Sequence, residues 1–260
     1  MLRQLEAVQY VAKIGSGKTE PAIIVGETPD GETIEVVGKL ASACERKTNA
    51  LAIEVIAACL AGSLGLPVPE PFILTISPEW KATLPFEYAS KITAGDTLAF
   101  GSKLVWPQWP TWTMGHKVTE KMAQTAASIF AFDAFVDNVD RREENSNCLV
   151  SGDDLRIFDH ELAWPPPLLF AKKPWMPEGL SSIAQPGNHI FRNELRARPI
   201  DRAAIRSAWA GLQDADITAY GAAIPAHWRD DAFINDVLQK IRDVRDNIDG
   251  CMDEFERVLK

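Results

Sequence analysis

Asp140-Arg-Arg-Glu-Glu-Asn145-Ser-Asn147-Cys-Leu-Val150, with Ile157-Phe158-Asp159-His160-Glu161 after it, decides how this chain is read. An Asp stands five residues ahead of one Asn and seven ahead of another. An apolar strand follows, then the turn Gly152-Asp-Asp154, a second apolar strand and a further Asp. Carboxylates and amides are the side chains that accept a proton or hold a hard divalent cation through oxygen. A tight hairpin returns one such group to the neighbourhood of the other. Residues 121–136 carry apolar residues at helical spacing and deliver the chain to Asp140.

Upstream, the first forty residues read as strands at 10–14, 22–27 and 33–37, with Pro29-Asp-Gly31 as the turn between the last two. Lys39 follows the third. Residues 48–64 read as a helix, with Thr48 or Asn49 to cap it and Gly65 to end it. Pro67-Val-Pro-Glu-Pro71 forces extended chain, and 72–76 and 86–92 read as further strands. The tract Trp106-Pro-Gln-Trp-Pro-Thr-Trp112 is expected to be a loop held by aromatic packing between two lobes. Trp164-Pro-Pro-Pro167 cannot continue a helix. The last hundred residues look mostly helical, with 231–259 a long amphipathic stretch broken near Gly250. That order predicts an α+β protein of two lobes, residues 1–92 and 93–260, around a cleft.

Composition narrows the classes. The 260 residues are 46% hydrophobic, enough for one large domain or two small lobes. A net charge of −9 opposes nonspecific nucleic-acid binding and attraction to an anionic membrane. No apolar run reaches the roughly 20 residues of a membrane span, and the first residues lack the apolar core of a secretion signal. Cys44, Cys59, Cys148 and Cys251 have no paired spacing, so a reducing cytoplasm is expected, without disulfides or zinc.

Gly15-Ser16-Gly17-Lys18-Thr19 ends like a Walker A loop, but Ala12 stands where that loop needs its first Gly. Glu20-Pro21 and a β-branched strand follow instead of a helix. A glycine turn between antiparallel strands fits better. Its backbone N–H groups could approach phosphate oxygens, or it could be an ordinary hairpin loop. Strand-borne Lys39 lies ahead of Glu54 on the next helix. Alone, each is a solvated charge; together they are the pair by which a helix carboxylate orients a phosphate-binding lysine.

Six segments in order carry a resemblance: Val-Val-Gly-Lys39, Asn49-Ala-Leu-Ala-Ile-Glu54, Leu64-Gly-Leu-Pro-Val-Pro69, Asn138-Val-Asp140-Arg141, Asn145-Ser-Asn147-Cys-Leu149 and Phe158-Asp159-His160-Glu161. The chain resembles the HipA-like kinases over residues 10–165. The C-terminal hundred residues offer no motif to align. The resemblance implies a bilobal, protein-kinase-like fold, with ATP and Mg²⁺ as cofactors and phosphoryl transfer to a hydroxyl, most simply that of a protein Ser or Thr. It implies Asp140 as the catalytic carboxylate and Lys39, steadied by Glu54, on the α/β phosphates. Gly15, Ser16, Gly17 and Lys18 would form the phosphate loop. Asp159 would be the metal-binding Asp, with Asn145 or Asn147 as the second metal ligand. Asn145 has the usual spacing, and Asn147 directly precedes the strand. The adenine hinge is expected near residues 86–91, and a compact kinase core alone is expected at this length.

The sequence departs from the pattern at Arg142, where His is common, and at Glu143 and Glu144, which make the loop acidic. Lys18 could supply the missing positive charge from above. His160 is a secondary candidate for a base; His116, His189 and His227 look isolated. Ser16 and Thr19 are candidates for self-phosphorylation by position. The expected partners are a protein or small-molecule hydroxyl substrate and a protein regulator. The competing readings are a small-molecule or lipid kinase of the same fold, a nucleotide-binding pseudokinase, and a helical interaction module in residues 165–260.

Overall fold

The structure is a computed structural model that describes residues 2–15, 19–166, 172–196 and 198–260. Its elements in order are β1 (Arg3–Lys13), β2 (Ala22–Glu27), β3 (Thr33–Lys39), α1 (Thr48–Ser63), β4 (Pro71–Thr75), α2 (Pro78–Ala82), α3 (Phe86–Ala89), β5 (Leu98–Lys103), α4 (Ala123–Phe135), β6 (Cys148–Ser151), β7 (Asp154–Ile157), α5 (Arg192–Leu195), α6 (Arg202–Ala210), α7 (Asp214–Ala222), α8 (Asp231–Asp246) and α9 (Ile248–Leu259). The class is α+β.

β1 to β5 close into a barrel in the order β1-β2-β3-β5-β4, with β4 returning parallel to β1. Alternation drives this. Ala22 and Ile24 on β2, Ile34 and Val36 on β3, and Phe72 and Leu74 near them fill a small core. The fit is tight. A Cβ added to Gly38 would lie 2.7 Å from Ile24 Cδ1, so a larger residue there would force the Ile24 side chain to shift. A closed barrel has no free edge. The barrel closes without residues 86–92, expected as a strand, and Phe86–Ala89 form the short helix α3 instead. Tyr88 packs its ring 4.8 Å from that of Tyr10, while Phe86 is 85% exposed.

The larger core is helical. α1 is buried on every side from Ala50 to Ala58, and α4 is buried nearly throughout. Both therefore read apolar all round rather than amphipathic. α1 follows β3 in sequence yet joins this larger core, where Ser63 accepts a hydrogen bond of 2.7 Å from Tyr220 on α7. Its N-cap is Lys47, whose side chain offers no acceptor, rather than Thr48 or Asn49. α8 and α9 pack one apolar face each inward. The chain breaks between them at Asn247, whose side-chain amide donates back to Asp243 O at 2.8 Å. Gly250, the expected break, lies inside α9, where a Cβ would meet Trp175 O at 2.9 Å.

The tryptophan tract runs from the barrel to the helical core along β6. Val150 N–H donates to Pro110 O at 2.9 Å and Trp112 N–H to Cys148 O at 2.7 Å. Backbone pairing and ring packing both hold it: the Arg156 guanidinium lies 4.9 Å from the centre of the Trp109 ring. Trp112 is buried edge-on to Phe191, but Trp106 is 68% exposed. Among the described residues no helix is long and apolar enough to cross a membrane.

Candidate functional site

Lys39 ends β3 and is 7% exposed. Its ammonium donates to Glu54 Oε1 at 2.6 Å, Asp159 Oδ1 at 2.6 Å and Glu161 Oε2 at 3.0 Å. The first carboxylate comes from α1. The other two come from the turn after β7. Burial works against the charge on Lys39, but the three carboxylates outweigh it and hold its pKa well above the ordinary value. Burial likewise opposes the charge on Glu54. The lysine, with the bonds from His160, wins and leaves that carboxyl below the usual range. Glu54 sits on a helix with no solvent face, so it needs a partner wherever the helix packs.

Asp140 lies in the loop after α4 and is half-buried. Asn145 Nδ2 donates to its Oδ2 at 2.7 Å, and Asn147 Nδ2 donates to the same oxygen at 3.0 Å. The two amides expected as alternatives therefore both meet Asp140. Its pKa is raised, chiefly by burial and also by the charge of Asp159, against the bonds from the two Asn. Asn147 (φ 42°) and Asp159 (φ 59°) both have left-handed backbone. Asn and Asp tolerate that region better than other residues, and such conformations concentrate at functional sites. Between them the hairpin is pinned by Gly152 at φ 58° in its two-residue turn.

A second group of residues, not foreseen as a unit, carries this loop. Asp133 on α4 is fully buried. It accepts from Arg141 Nε at 2.6 Å and from Asn138 Nδ2 at 2.6 Å, and its Oδ2 lies 3.1 Å from His189 Nε2. Phe191 N–H donates to His189 Nδ1 at 3.1 Å, so the ring carries its proton on Nε2 and donates to Asp133. Burial lowers the pKa of His189, which favours that neutral form. Arg141 in turn donates to the backbone oxygens of Asn147 and Phe158 at the two ends of the hairpin. His189, expected to be isolated, is thus part of the loop's support.

A cleft opens beside these groups. It is lined by Ile14 and Pro21 from the β1–β2 connection, by Val37 on β3, and by Leu149, Ile157 and Phe158 from the hairpin and the residue after it. Ser102 to Val105, where β5 leaves the barrel, also line it, as do Lys39, Glu54 and Asp159. The expected hinge segment 86–91 is absent from this lining. It packs through Tyr88 on the small core instead, because the strand that reaches the cleft is β5.

Of the glycine loop, Gly15 has φ 60° and open space around it, and Thr19 lines the cleft. Ser16, Gly17 and Lys18 lie outside the described residues. β2 follows the loop, so the helix that a Walker A site needs is missing. His160 is 3% exposed and packs edge-on to Phe132. Its N–H holds Glu54 Oε2 at 3.1 Å, and its Nε2 has no partner among the described residues.

The HipA-like kinase family model matches residues 8–257. The chain belongs to the HipA-like kinase family. The match runs on to residue 257 and so takes in nearly all of the C-terminal hundred residues, which offer no motif to align. Membership implies a kinase-type phosphotransferase. No curated protein matches the chain.

For such a kinase the donor set fits a magnesium ion. Carboxylate and amide oxygens are the hard ligands it takes, and Asp159, Asn145 and Asn147 carry groups of those kinds. Glu54, Asp159 and Glu161 also bring oxygens within 4.8 Å of one another, close enough for one cation. Lys39 Nζ is the cation now within hydrogen-bonding reach of all three.

Proposed function

We propose that this HipA-like kinase is an ATP- and Mg²⁺-dependent serine/threonine protein kinase, with residues 1–92 and 93–260 acting as two lobes around the nucleotide cleft. The observation that carries this reading is the convergence on Lys39. A strand-end lysine is oriented by Glu54 from a buried helix, and Asp159 from beyond the hairpin meets it in the lining of an apolar slot.

The apolar side chains of Val37, Leu149 and Ile157 in the lining suit the faces of a purine. Leu104 N–H is already given to Glu35 O at 2.8 Å, so the other backbone groups of Ser102 to Val105 would read the base edge. Lys39 engages the α/β phosphates. Bound Mg²⁺ would be held by Asp159 with Asn145 or Asn147 and would supply charge neutralisation on the phosphates. Asp140 orients the acceptor hydroxyl and receives its proton. Its raised pKa brings it nearer the range useful to a base. Most of the acceleration comes from positioning and preorganised charge.

A cytoplasmic setting and a protein regulator are proposed with this activity. The net charge of −9 argues against nucleic acid or an anionic membrane as the partner surface.

Asp140→Asn tests the assignment. Phosphoryl transfer from labelled ATP to a protein panel and to a metabolite panel is expected to disappear, while ATP binding by calorimetry survives. Wild-type turnover in that variant overturns Asp140 as the base. Transfer to the metabolites alone replaces the protein substrate with a small molecule.

A further inference from the structure

An ammonium has three donors. In this structure all three donors of Lys39 are spent on carboxylates, so a phosphate oxygen can be engaged only by displacing one of them. Glu54 is poorly placed to leave. It is 2% exposed, and its other oxygen is held by His160 N–H at 3.1 Å. Asp159 has a separate task in the proposed mechanism. Glu161 has none, yet its Oε2 sits 3.0 Å from Lys39 Nζ and also accepts from Cys44 Sγ at 3.3 Å. Its side chain is only 13% exposed, so solvent screens its interaction with the lysine weakly.

We propose that Glu161 is a positioning residue that occupies the phosphate-binding donor of Lys39 in the nucleotide-free protein and so competes with ATP. The inference rests on the nucleotide reading of the cleft. Binding exchanges a carboxylate for a phosphate oxygen on the same ammonium, and the displaced carboxylate then faces the triphosphate as a like charge. Both effects weaken nucleotide binding. Glu161 therefore sets the affinity of the site below what Lys39 and the apolar slot would give on their own.

The test is calorimetric titration of the full chain with ATP, with and without Mg²⁺, in wild type, Glu161→Gln and Glu161→Asp. Gln keeps the shape but surrenders the charge. Asp keeps the charge but withdraws the oxygen from Lys39. Glu161→Gln is expected to bind ATP roughly tenfold more tightly, the scale of one charge-assisted hydrogen bond, and Glu161→Asp to tighten it less. In turnover assays KM for ATP falls and kcat does not rise. Gain of affinity separates this from a structural role, since damage to the site weakens binding. Unchanged or weaker binding in Glu161→Gln overturns the proposal; if that variant fails to fold, unchanged or weaker binding in Glu161→Asp does so. Wild-type protein that binds no ATP at all overturns the nucleotide reading and this proposal together, whereas wild-type binding with unaltered variants overturns this proposal alone.

Discussion

Asp133 and Arg141 meet through two hydrogen bonds, of 2.6 and 3.3 Å, in a place where both side chains are wholly sealed from solvent. The pair links helix to hairpin. Arg141 passes from Asp133 to the backbone oxygens of Asn147 and Phe158, so one guanidinium ties α4 to both ends of the hairpin that separates Asp140 from Asp159. Burial alone would raise the Asp133 carboxyl, but the charge of Arg141 and the bond from His189 hold it below the usual range.

Asp133→Ala leaves that guanidinium buried without a counter-charge. Removing one partner of a buried pair costs about 3–5 kcal/mol. In a chain of this size that corresponds to a fall in melting temperature on the order of 10 °C. Differential scanning calorimetry checks it. A melt like that of wild type would show that the pair does not hold the loop.

How much of this was visible beforehand follows from where each residue's information resides. β2 was readable because its alternation is local, and so was the hairpin, because Gly152 marks its turn. Lys39 and Glu54 could be matched by order along the chain. The burial of Glu54 could not be read from its neighbours, since Ile53 and Val55 fit an exposed position as well as a core one. The signal lay in the whole of α1, which is apolar on every face and leaves no solvent side for a carboxylate. The same signal marks Asp133 in α4. α3 needed knowledge that the barrel had closed without it. Glu161 needed the three-dimensional fact that the turn after β7 passes beneath the end of β3.

Acid should weaken the fold through Glu54 and Asp133. Both carboxyls have folded pKa values below their unfolded ones of about 4.3 and 3.9. The unfolded chain therefore takes up protons first as pH falls. Their contribution is complete above about pH 5 and is lost progressively below it. Lys39 is shifted upward, so its share is complete below the unfolded value of about 10.4 and is lost as pH rises through the folded one. Urea unfolding at a series of pH values should give a plateau through neutrality and a decline in acid. Glu54→Gln should lower the plateau and make the acid decline shallower. An acid limb as steep as that of wild type in this variant would remove Glu54 as a source.

The cleft can be closed from the barrel side. Val37 is half-buried and lines the cleft together with Leu149. Val37→Trp should fill the slot and weaken ATP binding at least tenfold, with little change in melting temperature, because the side chain faces the cleft rather than the barrel core. Lys39→Ala should weaken ATP binding too, but it also strips three carboxylates of their cation. Its stability should change as well, and calorimetry of binding and of unfolding on the same samples separates the two behaviours.

Asn145 and Asn147 can be told apart by stability and by pH. Both donate to Asp140 Oδ2, and both bonds favour its charged form. Alanine at either position removes one such bond and raises the Asp140 pKa further. A base works deprotonated, so activity is lost as pH falls through that pKa, and the acid limb of kcat/KM should move to higher pH in both variants. The bond from Asn145 is the shorter, so Asn145→Ala should move the limb further. Backbone strain adds a difference that chemistry does not. Asn147 has φ 42°, a conformation that costs Ala about 1 kcal/mol more than it costs Asn, whereas Asn145 carries no positive φ. Asn147→Ala should therefore be less stable than Asn145→Ala. Equal stability together with unmoved acid limbs would mean that neither amide tunes Asp140.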